Sequence, residues 1–436
     1  MVRDDAGADD LFRRHQAVLP AWMPLYYELP MEIVAGAGCV VTDGEGTEYL
    51  DFYSGIATNI LGYGVREVRE AVQRQLCTGI VHTSTFYLIR AQVEVAERIG
   101  RLSGIPDPVV FFTCSGTEAV ETALLLATQY RDSHQIISLR YAYHGRSFGA
   151  LGVTGDRMWQ GRGLSPLRVA HVRGGGRRRG ELGSLDDTAY VRVCAEELEE
   201  TITTSTPGRT AAMIVEPVQG VAGAVPLVPG QLGAYKEVLD RHDVPLIVDE
   251  VQTGWGRTGQ FWGHQWHEVT PDLMVFAKGG GNGLSMGGVV GRREIMSCLP
   301  VPSLSSFGGN PLAMAAVRAT IDYIETHALP AHAARVGDLL IEELRRNLAN
   351  EPWVREVRGA GLLMAVEYAQ PGSPAQPAPQ MAEAVQEACR RRGLLVGLGG
   401  TFHDCARIMP PLTLSAEQAR EGARRVAAAT KDAREN

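Results

Sequence analysis

Short, nearly uninterrupted apolar runs punctuate the chain at Val109–Phe112, Ile136–Leu139, Met213–Val215, Leu246–Val248 and Leu273–Ala277. Runs of this length, bounded by turn residues, read as strands buried on both faces, the pattern of a parallel sheet. Between them the apolar residues recur at helical spacing. Val65, Val68, Val72 and Leu76 predict a helix over 65–79, and the same period predicts helices over 90–103, 191–202 and Leu312–Glu325, the last opened by Pro311. Strands alternating with helices predict an α/β fold with a mostly parallel central sheet flanked by helices. From about residue 326 helices over 331–349, 379–392 and from Ala416 onward alternate with strand-like Leu362–Glu367 and Leu394–Gly397, which reads as a smaller α+β C-terminal domain. Ahead of the sheet, Gly38–Thr42 and Glu48–Tyr53 flank Asp43-Gly44-Glu45-Gly46 as a hairpin. The expected division is an N-terminal arm and small-domain segment over 1–60, a large domain over 61–325 and the C-terminal domain over 326–436.

Three stretches carry no such pattern. Residues 1–30 read as an irregular arm in which Pro20, Pro24 and Pro30 punctuate Trp22, Tyr26 and Tyr27. Residues 173–184, RGGGRRRGELGS, read as a surface loop, and QPGSPAQPAP over 370–379 as a proline-rich loop. A chain of 436 residues exceeds one ordinary core, which fits the division above. A formal net charge of -8 argues against nonspecific nucleic-acid binding, and the short arginine run is followed at once by Asp186-Asp187. The seven cysteines are scattered without a CxxC, so neither a disulfide framework nor a metal site is expected, and a reducing compartment is. No stretch approaches the ~20 apolar residues of a membrane span, and MVRDDAGADD lacks the apolar core of a leader. A cytoplasmic location is the resulting expectation.

The chemistry gathers at strand ends. In an open parallel sheet, ligands sit outside the carboxyl ends of the strands. Asp249-Glu250 follows one predicted strand and Lys278 another, with Gly279-Gly280-Gly281 behind the lysine. A strand-end lysine is ordinarily a solvated tip, and a strand-end aspartate a turn residue. Together they match the needs of pyridoxal phosphate (PLP), an amine that forms a Schiff base and a carboxylate against a pyridinium nitrogen. Companion features strengthen that pairing. Ser115-Gly116-Thr117-Glu118 lies between a strand and a helix with capping-box spacing, and such a helix start suits a phosphate. Tyr143 and His144 follow the strand ending at Leu139, where an aromatic can stack on a ring. Glu216 is a third strand-end acid, and Ser306 precedes the helix that Pro311 opens.

These residues fall in SGTEA (115–119), YHGRS (143–147), EPVQG (216–220), DEVQTGWGRTG (249–259), AKG (277–279), FGGNP (307–311), RGAGLL (358–363) and RIMPPL (407–412). In order and separation they resemble the class III (subgroup II, ω-type) PLP-dependent aminotransferases over about residues 25–428. The resemblance implies a fold-type I homodimer with active sites shared at the subunit interface. It implies that Lys278 carries the cofactor, that Asp249 pairs with the ring nitrogen and that Gln252 lies near the phenolic oxygen. It further implies that Tyr143 stacks on the ring, that the Ser115-Gly116-Thr117 turn holds the phosphate, and that Glu216 orients the Asp249/Gln252 side. The family usually has Thr where this chain has Ser306, whose hydroxyl would reach the phosphate bound by the other subunit. Arg407 matches the arginine that binds the substrate α-carboxylate.

Within the family, LDFYSGIAT (50–58, with Tyr53), HTST (82–85) and EPVQGVAG (216–223) are similar to the alanine–glyoxylate type. The 4-aminobutyrate and ornithine types typically carry a glutamate after EP(V/I)QG, paired to the carboxylate arginine. Val221 stands there in this chain, whereas Arg146 matches an arginine those types often use for a carboxylate. With no acid beside it, Arg407 implies substrates that bring a carboxylate: alanine or an ω-amino acid as donor, glyoxylate or pyruvate as acceptor. A carboxylate-free amine would leave a bare guanidinium, an unfavourable arrangement. Other PLP reactions on the same scaffold (racemisation, decarboxylation, phospho-lyase chemistry) and a non-catalytic regulator are the competing readings. The last usually carries an appended DNA-binding domain, for which a ~30-residue arm is too short.

Overall fold

The computed structural model describes residues 8–160, 165–176 and 181–435. Its central sheet has seven strands in the order Pro108–Thr113, Gly287–Arg292, Leu273–Ala277, Leu246–Asp249, Ala212–Val215, Gln135–Leu139 and Arg168–Val172. The five strands from Leu273–Ala277 to Arg168–Val172 are mutually parallel, and Gly287–Arg292 runs antiparallel to both its neighbours. Period-2 alternation splits the buried side chains between two layers. Ile137, Met213, Val215, Leu246 and Val248 pack with Tyr190 and Leu198 of helix Asp187–Glu200 and Leu232 and Leu239 of helix Gln231–Arg241. Ile136, Ile214, Ile247, Leu273 and Val275 pack on the opposite face with Ala119, Ala123 and Leu126 of helix Gly116–Arg131. Burial on both faces is why these strands read as continuous apolar runs.

A second sheet of Val354–Ala360, Leu363–Gln370, Cys405–Ile408 and Gly397–Gly399 is antiparallel and lies beside helices Leu329–Leu348, Pro379–Arg391 and Ala416–Glu435. The N-terminal hairpin is present as Val40–Asp43 paired antiparallel with Glu48–Asp51, and Leu394–Leu395 joins it in parallel. Among the described residues no helix is long and apolar enough to cross a membrane.

Three irregular segments are more ordered than the pattern suggested. The arm contains a helix, Ala8–Val18. The proline-rich loop contains strand Ser373–Pro377, paired with Leu363–Gln370 and exposed along most of its length. An edge strand tolerates prolines because one row of its backbone donors faces solvent. Of the Gly/Arg stretch, Gly174 and Gly175 are buried rather than on the surface. Tyr190 donates its hydroxyl to Gly174 O at 2.9 Å, and Glu181–Ser184 forms a turn of 3₁₀ helix, while 177–180 lie outside the described residues. Strand Gly287–Arg292 carries three glycines in six residues and so lacks an apolar run. A Cβ at Gly288 would sit 2.6 Å from both Phe111 O and the Phe276 ring, so close packing dictates the residue that obscures the strand.

Candidate active site

Three neighbouring parallel strands deliver the central groups. Ala212–Val215 ends at Glu216, Leu246–Asp249 at Asp249, and Leu273–Ala277 at Lys278, with Ile247 opposite both Ile214 and Leu273. Their ends face one cavity of about 460 Å³. Its wall also carries Ser115, Gly116, Thr117, Tyr143, His144, Arg146, Val251 and Gln252.

Lys278 leaves its strand with φ 49°, the left-handed region that side chains other than glycine avoid. Such strain persists where the surroundings over-determine it. Here Trp255 does so: its indole Nε1 donates to Ala277 O at 2.8 Å, and its ring fills the space beside the following glycines. A Cβ at Gly280 would lie 2.6 Å from Trp255 Cζ2, and one at Gly279 2.7 Å from Ile60 Cδ1. The glycines after the lysine are therefore packing requirements. The Lys278 amine opens on the cavity yet lies deep in the fold, and that burial lowers it from 10.5 to about 8, opposed by nearby Asp249.

Asp249 is held on both oxygens. Oδ1 accepts from Val251 N at 3.0 Å, and Oδ2 lies 2.7 Å from His144 Nδ1. His144 is buried, its backbone N donates to Thr154 Oγ1 at 3.2 Å, and its Nε2 has no hydrogen-bond partner among the described residues. Glu216 is 4% exposed and accepts from Tyr143 N at 3.0 Å and from Gly220 N at 2.9 Å. Burial raises its carboxyl from 4.5 to about 7, against the lowering by His144.

Helix Gly116–Arg131 points its start into the cavity. Ser115 caps it, accepting from Glu118 N at 3.3 Å, while Glu118 Oε2 accepts from Cys114 N at 2.6 Å, one residue earlier than in a standard capping box. The ring of Tyr143 stands edge-on to Trp159, 5.4 Å between centroids.

Four of the residues singled out from sequence lie off the cavity wall: Arg407, Tyr53, Val221 and Ser306. Arg407 extends from strand Cys405–Ile408 and is 3% exposed. Its Nη2 donates to Gln252 Oε1 at 2.7 Å, its guanidinium lies 5.9 Å from the Tyr53 ring centre, and its Nε has no hydrogen-bond partner among the described residues. Val221 is buried, with its carbonyl accepting from Gly400 N at 2.9 Å. Arg146 is exposed at the mouth. Ser306 is exposed, away from this chain's own cavity. Two neighbours were not anticipated. Trp159 backs Tyr143, and Tyr26 of the arm brings its hydroxyl to 3.2 Å from that of Tyr53. No local pattern marks either. The aromatics of the arm were the only signal, and one of them packs within its own chain.

This donor set fits PLP. A capped helix start can take the phosphate, Asp249 a protonated ring nitrogen, Lys278 the carbonyl carbon, and Tyr143 and Val251 the two faces of a ring. Comparison with known proteins agrees. The family model described as "Aminotransferase class-III" matches residues 24–430. The chain is 35% identical over 416 residues to an Arabidopsis thaliana protein named alanine–glyoxylate aminotransferase 2 homolog 2, mitochondrial, covering 95% of this chain and 85% of that one. It is 35% identical to a Corynebacterium efficiens acetylornithine aminotransferase, covering 92% of each. The solved amine transaminase of an uncultivated Pseudomonas species, in PLP-bound form, superposes with a TM-score of 0.86 at 30% identity, over 92% of this chain and 94% of that one. The chain belongs to the class-III aminotransferases: it is a PLP-dependent enzyme of fold type I that moves an amino group from a donor to an oxo-acid acceptor.

Proposed function

We propose that this class-III aminotransferase takes the amino group of a small amino acid, alanine or an ω-amino acid, and passes it to glyoxylate or pyruvate. The observation that carries the reading is Arg407, a buried guanidinium next to the cavity whose polar side-chain partners are neutral. Bound PLP supplies a conjugated ring that accepts the electron pair released when a Cα–H bond breaks. Lys278 Nζ removes the proton from the donor Cα and, in the reverse half-reaction, returns one to the acceptor carbon. An amine near 8 is well matched to this task at neutral pH. Asp249, steadied by His144, holds the proton on the ring nitrogen. Glu216 fixes the Tyr143 backbone so that the ring can lie over the cofactor. Ser115, Gly116 and Thr117 hold the phosphate, and Arg146 at the mouth takes a second or more distant carboxylate.

The reading extends to a homodimer, in which Ser306 reaches the partner's phosphate. In support, a strip of apolar residues is exposed beside the 82–85 segment, with Phe86 82%, Leu88 98% and Phe307 58% exposed, and Ser306 lies next to it. None of the seven cysteines, all of them described, is in a disulfide, which suits a cytoplasmic home. The division at 60 and 325 fits a central sheet drawn wholly from residues 108–292 and a Leu394–Leu395 strand that ties the N-terminal hairpin to the C-terminal part.

The test is a donor panel read by the absorbance of the bound cofactor, with pyruvate and glyoxylate as acceptors. Alanine alone should convert the cofactor to its amine form, and either acceptor should restore it. A protein that never makes that conversion with any amino acid would contradict the reading. Loss of acceptor binding in Arg407→Lys, where a point charge replaces a bidentate fork, tests the carboxylate role separately.

A further inference from the structure

Gln252 links the cavity to Arg407. It is on the cavity wall, and Arg407, which is not, donates to its side chain. The amide Oε1 accepts from Arg407 Nη2 at 2.7 Å, and the same nitrogen meets Met409 Sδ at 3.5 Å. The pair is closely fitted. A Cβ at Gly220 would lie 2.6 Å from Gln252 Oε1, and one at Gly399 would collide with Arg407 Cδ. The side chain of Val221 has no atom to offer the guanidinium. A cation at 3% exposure whose Nε has no partner among the described residues needs every acceptor it can find, and Gln252 supplies the oxygen.

We propose that Gln252 determines specificity as a neutral cap on Arg407, displaced by substrates that carry a carboxylate and left in place by amines that do not. The inference rests on the reading of Arg407 as the carboxylate ligand. The bond from Arg407 to the amide is charged on the donor side only, and an incoming carboxylate adds the attraction of a second charge and a bidentate fit to the guanidinium. It therefore wins Nη2 from an amide, whereas against a resident carboxylate it would only exchange one ion pair for another. A carboxylate-free amine leaves the cap closed, and its substituent meets an amide rather than a bare charge. The pocket thus serves amino acids and simple primary amines alternately, which widens the carboxylate-only range expected from Val221.

The probe is propionate, an unreactive carboxylate, titrated into full-length holoenzyme by the shift of its visible band and into cofactor-free protein by calorimetry. Gln252→Glu should weaken propionate about tenfold or more, and Gln252→Leu, with no acceptor to displace, should strengthen it about two- to tenfold. In turnover, the ratio of kcat/KM for alanine to that for a simple primary amine should fall in the Glu variant and rise in the Leu variant. A merely structural glutamine would move affinity in one direction for both, and that outcome, or no change in either, overturns the proposal. Arg407→Gln separates the two ideas. If it leaves propionate affinity intact, the carboxylate role of Arg407 has failed. If it abolishes affinity while the Gln252 variants behave alike, only the cap has. Should Gln252→Glu not fold, Gln252→Asn, too short to reach Nη2, takes the place of Leu against wild type and is expected to strengthen binding likewise. Unchanged or weaker binding in it overturns the cap.

Discussion

Replacing Glu216 by Gln tests the electrostatics of the cavity most directly. The carboxyl receives two backbone donors, from Tyr143 and Gly220, yet burial still raises it from 4.5 to about 7. A folded-state value above the unfolded one means that the native protein binds more protons between those two pH values. Its stability therefore falls as pH rises from 4.5 to 7. At about 1.4 kcal/mol per pH unit, the decline attributable to Glu216 is about 3 kcal/mol. Glutamine keeps an acceptor for the two N–H groups but cannot ionise. Urea unfolding of the cofactor-free protein at steps from pH 4.5 to 7 should show the wild type losing stability relative to Glu216→Gln by that order. The groups facing Glu216 are His144, Asp249 and Lys278, and all remain in both proteins, so the difference isolates the carboxyl. Lys278 adds a separate effect. Its depressed value means that the cofactor-free protein gains stability from about pH 8 toward 10.5, outside the measured window. A wild-type-minus-variant difference that stays flat from pH 4.5 to 7 would refute the assignment of a buried, proton-binding Glu216.

Other substitutions probe the attachment, the ring nitrogen and the strained loop. Borohydride should fix the cofactor on Lys278 alone by peptide mapping, and Lys278→Ala should lose both the label and turnover; a label on another lysine ends the assignment. Asp249→Asn breaks a buried charged pairing at a cost of roughly 3–5 kcal/mol, so the half-reaction with alanine should slow by about two to four orders of magnitude while some cofactor still binds; near-normal turnover would contradict the role. Gly280→Ala forces a methyl against the fully buried Trp255 ring and should cost about 1–3 kcal/mol in denaturant unfolding together with weaker cofactor retention; a stability equal to wild type would show that the ring has room to move.

What the sequence disclosed and what it hid follow one physical distinction. Asp249 and Lys278 were visible because each ends an apolar run, and strand polarity alone puts both at one edge of a parallel sheet. The helix start at Ser115 was visible because capping is local. The partner of Arg407 was not, since Gln252 lies 155 residues away in the turn after a strand of the other sheet and no periodicity spans that distance. His144 stands out in the sequence only as a neighbour of Tyr143, and its hold on Asp249 Oδ2 depends on a fold-back across 105 residues. Tyr26 was assigned to an irregular arm, and only tertiary packing reveals that it braces Tyr53 beneath the guanidinium.

The contact between Gln252 and Arg407 requires two sheets to keep a fixed distance, and Arg257 supplies the lock. It follows Gln252 in the same motif, is 0% exposed, and has no acidic partner within its reach among the described residues. Its Nη1 donates to Leu362 O at 3.2 Å and to Pro410 O, and its own carbonyl accepts from Leu362 N at 2.9 Å. Leu362 precedes the strand that pairs with that of Arg407, and Pro410 follows Arg407 closely in the chain. One side chain therefore joins the loop after Asp249 to both segments that frame the carboxylate arginine. Burial lowers this guanidinium from 12.5 to about 9, and Nε and Nη2 lack partners among the described residues, so the arrangement is electrostatically costly. The motifs around residues 250, 360 and 410 thus form one mechanical unit, in which a buried charge holds the cofactor side and the carboxylate side in register.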